Sequence, residues 1–149
     1  MNILVASNMY PERDLNFTYK GIFVKEQVDS LRKLKECNVD LHVIDGYKGV
    51  WSYFFGSFSL LCKILFRKYD LIHCHYGLSA MFTLLLPFKR WDNVILTLHG
   101  GDILEAQGKK YQVLITKLIL KRVGFVITLS DEMNDVVSCY TSNYQTLVC

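Results

Sequence analysis

The sequence predicts an open, doubly wound α/β domain with a mostly parallel sheet of about six strands and helices on both faces. Short runs rich in Val, Ile and Leu alternate along the chain with segments whose apolar residues recur at helical spacing. The short runs are apolar at consecutive positions, as strands covered on both faces must be. Alternation of this kind implies right-handed β-α-β crossovers and hence parallel strands.

Six strands are predicted along the chain. They comprise residues 3–6, 39–44, 71–74, 94–98, 125–129 and 146–148. The first lies at the N-terminus, where the sequence lacks the basic start and the small-residue cleavage site of a secretory signal peptide. We therefore expect a cytoplasmic protein.

Three of the helices between these strands follow from apolar stripes. The first stripe consists of Val24, Val28, Leu31 and Leu34. The second consists of Tyr111, Leu114, Ile115, Leu118 and Ile119. The third helix follows Ser130, a predicted N-cap, and its inner face consists of Met133, Val136, Val137 and Tyr140.

A fourth apolar segment, residues 50–66, carries a single charge, Lys63. Helical spacing gives it a broad apolar face made of Trp51, Phe54, Phe55, Phe58, Leu61 and Leu65. The segment is shorter than the roughly 20 apolar residues of a membrane span. Two interpretations remain open: this face packs on the sheet, or it docks on a membrane whose anionic surface meets Lys63, Arg67 and Lys68.

Size and composition limit the class of protein. A chain of 149 residues corresponds to one domain, residues 1–149, and 51% hydrophobic residues exclude a disordered chain. The formal net charge of +3 does not indicate a nucleic-acid partner. The five cysteines are scattered without a C-x-x-C pair, which predicts reduced thiols, mostly in the core.

Polar residues and glycines follow several of the predicted strands. In an open parallel sheet, ligands bind beyond the carboxyl ends of the strands. The candidate residues at these ends are His73, His75, His99, Gly100, Gly101, Asp102 and Ser130. Three histidines could suggest a metal site, but no carboxylate or cysteine has ligand spacing with them, and we expect no metal.

Two of the candidates have competing interpretations. His99 precedes two glycines and an acid, so its loop can expose backbone N–H groups to a ligand; the alternative is a buried structural histidine. Gly21 opens the first helix, where an anion could bind the helix N-terminus; the alternative is a plain helix cap.

Familiar motifs of other sites are absent from the sequence. No G-x-G-x-x-G follows the first strand, which argues against a dinucleotide site. The chain has no D-x-D pair for a metal-bound diphosphate and no G-x-S-x-G nucleophile turn.

The strand ends together resemble the N-terminal, acceptor-side domain of GT-B-fold glycosyltransferases, specifically family 4, which is retaining and uses nucleotide sugars. The resemblance rests on Pro11 and on residues 20–23, 69–75, 97–102 and 126–130. It implies one Rossmann-like half of a GT-B fold, with a C-terminal donor-binding domain supplied in cis or in trans. It also implies sugar transfer to a glycan or lipid-linked acceptor, as in polysaccharide or glycolipid biosynthesis.

The resemblance also implies roles for particular residues. It places Gly21 near the donor diphosphate and His99, as the catalytic residue, near the transferred sugar. It places His73, His75 and Asp102 on the acceptor side of the cleft, with Gly100, Gly101 and Ser130 as further substrate contacts. It implies no cofactor besides the nucleotide sugar, which is a substrate, and it puts the strand that carries His73 beside the first strand.

Two other functions remain as alternatives. A flavodoxin-like binding or regulatory module would share the topology, although acidic residues do not cluster at the end of the first strand. A membrane-docking subunit of a split glycosyltransferase would share the fold and depend on a second chain.

Overall fold

A computed structural model describes residues 1–11, 21–46, 49–86 and 89–147. Lys20, Val148 and Cys149 lie outside the described residues. The strands are β1 (Asn2–Ser7), β2 (Asn38–Val43), β3 (Leu71–His75), β4 (Trp91–Thr97), β5 (Val123–Thr128) and β6 (Tyr144–Thr146). The helices are α1 (Ile22–Arg32), α2 (Val50–Phe66), α3 (Lys110–Leu120) and α4 (Asp131–Val137).

The sheet has the predicted doubly wound architecture. Its six strands are all parallel, in the order β2-β1-β3-β4-β5-β6. The strand that carries His73 pairs with β1, as predicted, with Val5 opposite His73 and Ser7 opposite His75. After β1 the chain passes to β2 at one edge of the sheet, and after β3 it passes to β4 in the opposite direction. The strand order therefore reverses between β1 and β3. Their carboxyl ends are therefore where a ligand is expected.

Alternate residues of β1 pack into two different cores. Ile3 and Val5 join the cluster formed with α1, whereas Leu4 and Ala6 join the larger cluster that includes residues of α2 and α3. Because right-handed crossovers in opposite directions place their helices on opposite faces, α1 lies on one face and α2 and α3 lie on the other.

Two predicted helix faces need correction. In the first helix Val24 and Val28 are buried as predicted, but Leu34 lies beyond the end of α1 and is exposed. In α3 the buried residues are Val113, Thr116, Ile119 and Leu120. The predicted inner residues Tyr111, Leu114 and Leu118 are exposed. The helix is apolar on more than one side, so spacing alone could not select the buried face.

The sequence prediction missed one element, a 3₁₀ segment at Gly77–Leu84 between β3 and β4. Most of its residues are buried, and it packs against α2 and α3. A Cβ at Gly77 would lie 1.9 Å from Thr116 Oγ1, so the absence of a side chain lets α3 approach. The segment continues the loop that leaves the carboxyl end of β3.

The thiols are less buried than predicted. Cys74 is buried, Cys37 and Cys62 are partly exposed, and Cys139 is exposed; all four are free. Cys74 lies on a central strand, and burial raises the pKa of its thiol to about 12.

The segment 50–66 forms a helix, α2, but most of its predicted apolar face points to solvent. Of that face only Leu61 is buried, and the helix packs through Ser57, Leu60 and Leu61. Within the part of the chain that the structure describes, no helix is both long and apolar enough to cross a bilayer.

Candidate functional site

A cavity of about 200 Å³ opens at the carboxyl ends of β1, β3 and β4. It lies beside the point where the strand order reverses. Its lining residues are Asn8, Met9, Tyr76, Leu78, His99, Gly101, Asp102 and Gln112. Three of the predicted site residues, His99, Gly101 and Asp102, are therefore among them.

The three candidate histidines form one cluster. His73 and His75 are two residues apart on β3, so their side chains share a face of the sheet, and their ring centroids are 4.3 Å apart. His75 Nδ1 lies 3.4 Å from His99 Nε2. His73 is buried and its Nε2 lies 2.8 Å from Thr97 Oγ1. The cluster thus runs from the sheet interior, through His75, to the cavity at His99.

Gln27 of α1 fixes the protonation pattern of this cluster. Its Oε1 lies 2.6 Å from His75 Nε2, and because an amide oxygen only accepts, His75 Nε2 carries the proton. In a neutral ring His75 Nδ1 is then an acceptor, and it receives a hydrogen bond from His99 Nε2. This assignment leaves His99 Nδ1 as a hydrogen-bond acceptor. The sequence analysis missed Gln27, which only the packing of α1 on β3 brings to the cluster.

Aromatic rings hold the imidazole of His99. The Tyr76 ring centroid lies 4.1 Å from that of His99, and the Phe23 centroid lies 4.6 Å from it. Tyr76 has φ +68° and ψ 142°, a conformation that non-glycine residues rarely adopt. Such strain persists only where surrounding contacts impose it, and it concentrates at functional sites. Tyr76 directly follows β3, and that position was the one signal that could have identified it.

Asp102 joins the two loops that border the cavity. Its Oδ1 accepts the His99 backbone N–H at 2.9 Å, and its Oδ2 accepts the Gly77 backbone N–H at 3.0 Å. Burial raises the pKa of this carboxyl, and the backbone donors partly oppose that effect. Asp102 therefore fixes the position of His99 relative to the 3₁₀ segment, in addition to lining the cavity.

The two glycines after His99 differ. Gly100 has φ +88°, which favours glycine, and its carbonyl accepts hydrogen bonds from the N–H groups of Ile103 and Leu104. A Cβ at Gly101 would meet only the Gln107 carbonyl oxygen, at 3.6 Å. Gly100 therefore shapes the turn, while Gly101 lines the cavity.

Gly21 is the N-cap of α1 and has φ +76°. A Cβ there would lie 2.5 Å from the Met9 carbonyl oxygen, so the residue after β1 and the start of α1 are in close contact. The first N–H groups of the helix thereby come to the edge of the sheet that carries the cavity.

Ser130 is the N-cap of α4, as predicted. Its hydroxyl oxygen accepts a hydrogen bond of 3.3 Å from the Met133 N–H. This contact accounts for a serine at that position. Its role as a substrate contact stays a prediction.

Asn8 and Gln112, which also line the cavity, were not among the predicted site residues. Asn8 directly follows β1, so its position at a strand end is a signal that could have selected it. Gln112 lies in the first turn of α3 and carries no such signal. No group of three or more metal-ligating side chains in residues 1–11, 21–46, 49–86 and 89–147 has an arrangement that could hold a metal ion.

Burial keeps the histidine cluster neutral. It lowers the pKa of His73 to about 4, and burial followed by repulsion from His73 lowers that of His99 to about 4. The pKa of His75 falls further, through burial and then repulsion from His73 and His99. At neutral pH the His99 ring is therefore uncharged: its Nε2 donates to His75, and its Nδ1 is left as an acceptor.

This cluster predicts a loss of stability in mild acid. Below the unfolded pKa of about 6.5, the unfolded chain takes up protons that the folded chain excludes. The free energy of unfolding should therefore fall by about 2 kcal/mol or more as the pH drops from about 6.5 towards about 4, since each unit of pKa depression is worth about 1.4 kcal/mol. Urea denaturation at a series of pH values measures this change in the free energy of unfolding.

The matched control for that experiment is His42→Gln, which removes a histidine outside the cluster and should keep the pH dependence. Paired carboxylates such as Asp40 have a lowered pKa and lose their contribution only below about pH 4, so they do not imitate the effect. A free energy of unfolding that stays constant from about pH 7 to about pH 5 would contradict the buried, neutral cluster.

The comparisons with known proteins identify the architecture. The chain is similar to the sucrose-phosphate synthase of Thermosynechococcus elongatus, with a TM-score of 0.70 and 14% sequence identity. The match covers 99% of this chain and 47% of that protein, so this chain spans about half of its length. No family model matches the sequence, and no curated protein matches it either. The similarity establishes the fold: the chain has the architecture of one half of a GT-B fold.

Proposed function

We propose that this chain is the acceptor-side, N-terminal half of a glycosyltransferase that resembles family 4. In this proposal it binds a glycan or lipid-linked acceptor, and a C-terminal domain in cis or in trans binds the nucleotide sugar. The sugar passes to an acceptor hydroxyl with retention of configuration, and the nucleoside diphosphate leaves. Polysaccharide or glycolipid biosynthesis at the cytoplasmic side of a membrane is the corresponding setting.

The observation that carries the proposal is the cavity beside β1, β3 and β4, where His99 contacts the rings of both Tyr76 and Phe23. The His99 Nδ1 and the Asn8 side-chain oxygen are acceptors suited to sugar hydroxyls, and an aromatic ring suits the apolar face of a sugar. The structural similarity to a sucrose-phosphate synthase supports the assignment to sugar transfer.

His99 acts in this proposal as a polar contact to the transferred sugar. Its lowered pKa makes it a weak base, so its role is to orient a hydroxyl through Nδ1 and not to store a proton. Gly21 places the N-terminus of α1 where it stabilises the leaving diphosphate. The other phosphate contacts come from the second domain, and no metal takes part.

His73 and His75 have a supporting role in the proposal. They do not contact the acceptor directly, because His73 is buried beside Thr97 and His75 bonds to Gln27; they act by positioning His99. Gly100, Gly101 and Asp102 shape the loop that meets the substrate, and Ser130 borders the same edge of the sheet.

A flavodoxin-like module is the second candidate, because the strand order 2-1-3-4-5 is also that of flavodoxin-like domains. The end of β1 argues against it: the Ser7 hydroxyl accepts the Met9 N–H and donates to the Met9 carbonyl, so it is turned into its own loop.

Backbone amide NMR distinguishes the two candidates. Titration of the chain with flavin mononucleotide, and separately with lipid-free glycan acceptors, should shift the signals of Tyr76, His99 and Gly101 only for a glycan. Shifts at the end of β1 with the flavin, and none with any glycan, would reject the glycosyltransferase proposal. Leu114, exposed on α3, serves as the residue whose signal should stay unchanged.

A further inference from the structure

Helix α2 presents a continuous apolar surface to solvent. Its exposed large side chains are Val50, Trp51, Phe54, Phe55, Phe58, Leu65 and Phe66. Trp51 is 73% exposed and Phe55 is 64% exposed. The rings of Trp51, Phe54 and Phe55 contact one another, with centroids between 5.9 and 6.5 Å apart. We call this set the aromatic face of α2.

The aromatic face of α2 does not take part in packing the helix against the rest of the protein. The opposite side of α2 is already packed: Ser57 and Leu60 are fully buried, and a Cβ at Gly56 would lie 2.9 Å from Ile44 Cγ2. The helix is thus apolar on two sides, and only one side serves the fold. An exposed patch of clustered aromatic residues is typical of a binding surface.

The charges around α2 select the partner. Residues 45–70 carry four basic residues, Lys48, Lys63, Arg67 and Lys68, against two acidic residues, Asp45 and Asp70. Asp40 pairs with Lys63 at 3.7 Å and with Arg67 at 2.8 Å, so one carboxylate faces several cations. Lys68 is exposed beside them. Aromatic side chains flanked by excess positive charge match an anionic lipid surface.

We propose that the aromatic face of α2 docks on an anionic bilayer, with the helix lying in the interface. A helix of 17 residues is about 25 Å long, too short and too polar for a span, but suited to lie flat with its rings among the acyl chains. The docking rests on α2 alone and does not depend on the proposed function.

Docking brings the candidate site to the membrane. The Asn8 amide, which lines the cavity, donates a hydrogen bond of 3.0 Å to the Tyr53 hydroxyl of α2. The first turns of α2 and the cavity therefore occupy the same edge of the sheet. If the proposed function holds, the acceptor is a lipid-linked saccharide that enters from the bilayer.

Trp51 supplies a direct readout. The chain has two tryptophans, and Trp91 is 1% exposed, so Trp91→Phe leaves Trp51 as the reporter of the aromatic face. Added vesicles of phosphatidylglycerol mixed with phosphatidylcholine should shift its emission to the blue, and brominated lipid should quench it. The chain should co-sediment with these vesicles at low salt and bind pure phosphatidylcholine at least about tenfold more weakly.

Trp51→Ser with Phe55→Ser should lower the partition coefficient by about tenfold or more, because both rings leave the interface. The matched control, Leu114→Ser with Leu118→Ser, removes two exposed apolar residues from α3 and should bind like the parent chain. Lys68→Glu should weaken binding to the anionic vesicles and leave the weak binding to pure phosphatidylcholine unchanged.

Three outcomes would overturn the proposal: no binding to anionic vesicles, binding that survives the α2 substitutions, or equal loss in the α3 control. Sedimentation velocity without lipid tests the competing occupant, a second copy. If the chain does not bind vesicles but forms dimers, and the α2 substitutions abolish these dimers, the aromatic face of α2 is instead a self-association surface. None of these measurements involves a sugar. A negative result for membrane docking therefore does not contradict the proposed glycosyltransferase function, and a negative result for sugar transfer does not contradict docking.

Discussion

Replacing His99 by Ala should reduce sugar transfer by two to three orders of magnitude, about the loss seen when one polar group contacting the transition state is removed. The test uses the chain joined to a C-terminal GT-B domain of the kind proposed above, with release of nucleoside diphosphate as the readout. The loss should appear in kcat more than in KM for the donor, because His99 is proposed to orient the sugar during transfer.

The structure also sets the expected effect of His99→Ala on folding. The ring borders a cavity and is held by aromatic neighbours, so its removal should lower the free energy of unfolding by no more than about 1–2 kcal/mol. His42→Ala, a histidine outside the cluster, is the matched control for activity. A collapse of stability in His99→Ala, or transfer equal to that of the parent, would show that His99 is a structural histidine.

The isolated chain 1–149 should not turn over a nucleotide sugar. Transfer requires donor and acceptor to be held at reacting distance and the leaving diphosphate to be stabilised, and these account for most of the rate. The chain spans about half of the sucrose-phosphate synthase that it resembles in fold, and the proposal assigns the donor to the other half. Activity should appear when a C-terminal GT-B domain is supplied in cis or in trans.

Calorimetry and a transfer assay measure this second result. Uridine- and guanosine-diphosphate sugars should bind chain 1–149 weakly at most, because the proposal assigns most of the diphosphate contacts to a second domain. The His99→Ala variant of chain 1–149 is a useful control, since it should bind the donor as weakly as the parent chain. Measurable transfer by the purified chain would refute both the half-enzyme proposal and the donor site assigned to the second domain.

The sequence by itself determined the alternation of strands and helices and therefore the parallel, doubly wound sheet. It also placed His73 and His75 on one face of β3 and put His99 at a strand end, because a period of two and a buried apolar strand are local properties of the chain. Ser130 as an N-cap was equally local, since the cap contacts a residue three positions away.

Only the tertiary structure decided which apolar faces are buried and which residues complete the site. Helices α2 and α3 are apolar on more than one side, so the choice of buried face depends on what each helix crosses, and local spacing carries no record of that. Gln27 reaches His75 across 48 positions of sequence, and the strained Tyr76 is fixed by contacts with distant elements. Contacts between residues so far apart in sequence form only when the whole sheet has assembled. The protonation pattern of the histidine cluster and the exposure of the aromatic face of α2 could therefore be seen only in the structure.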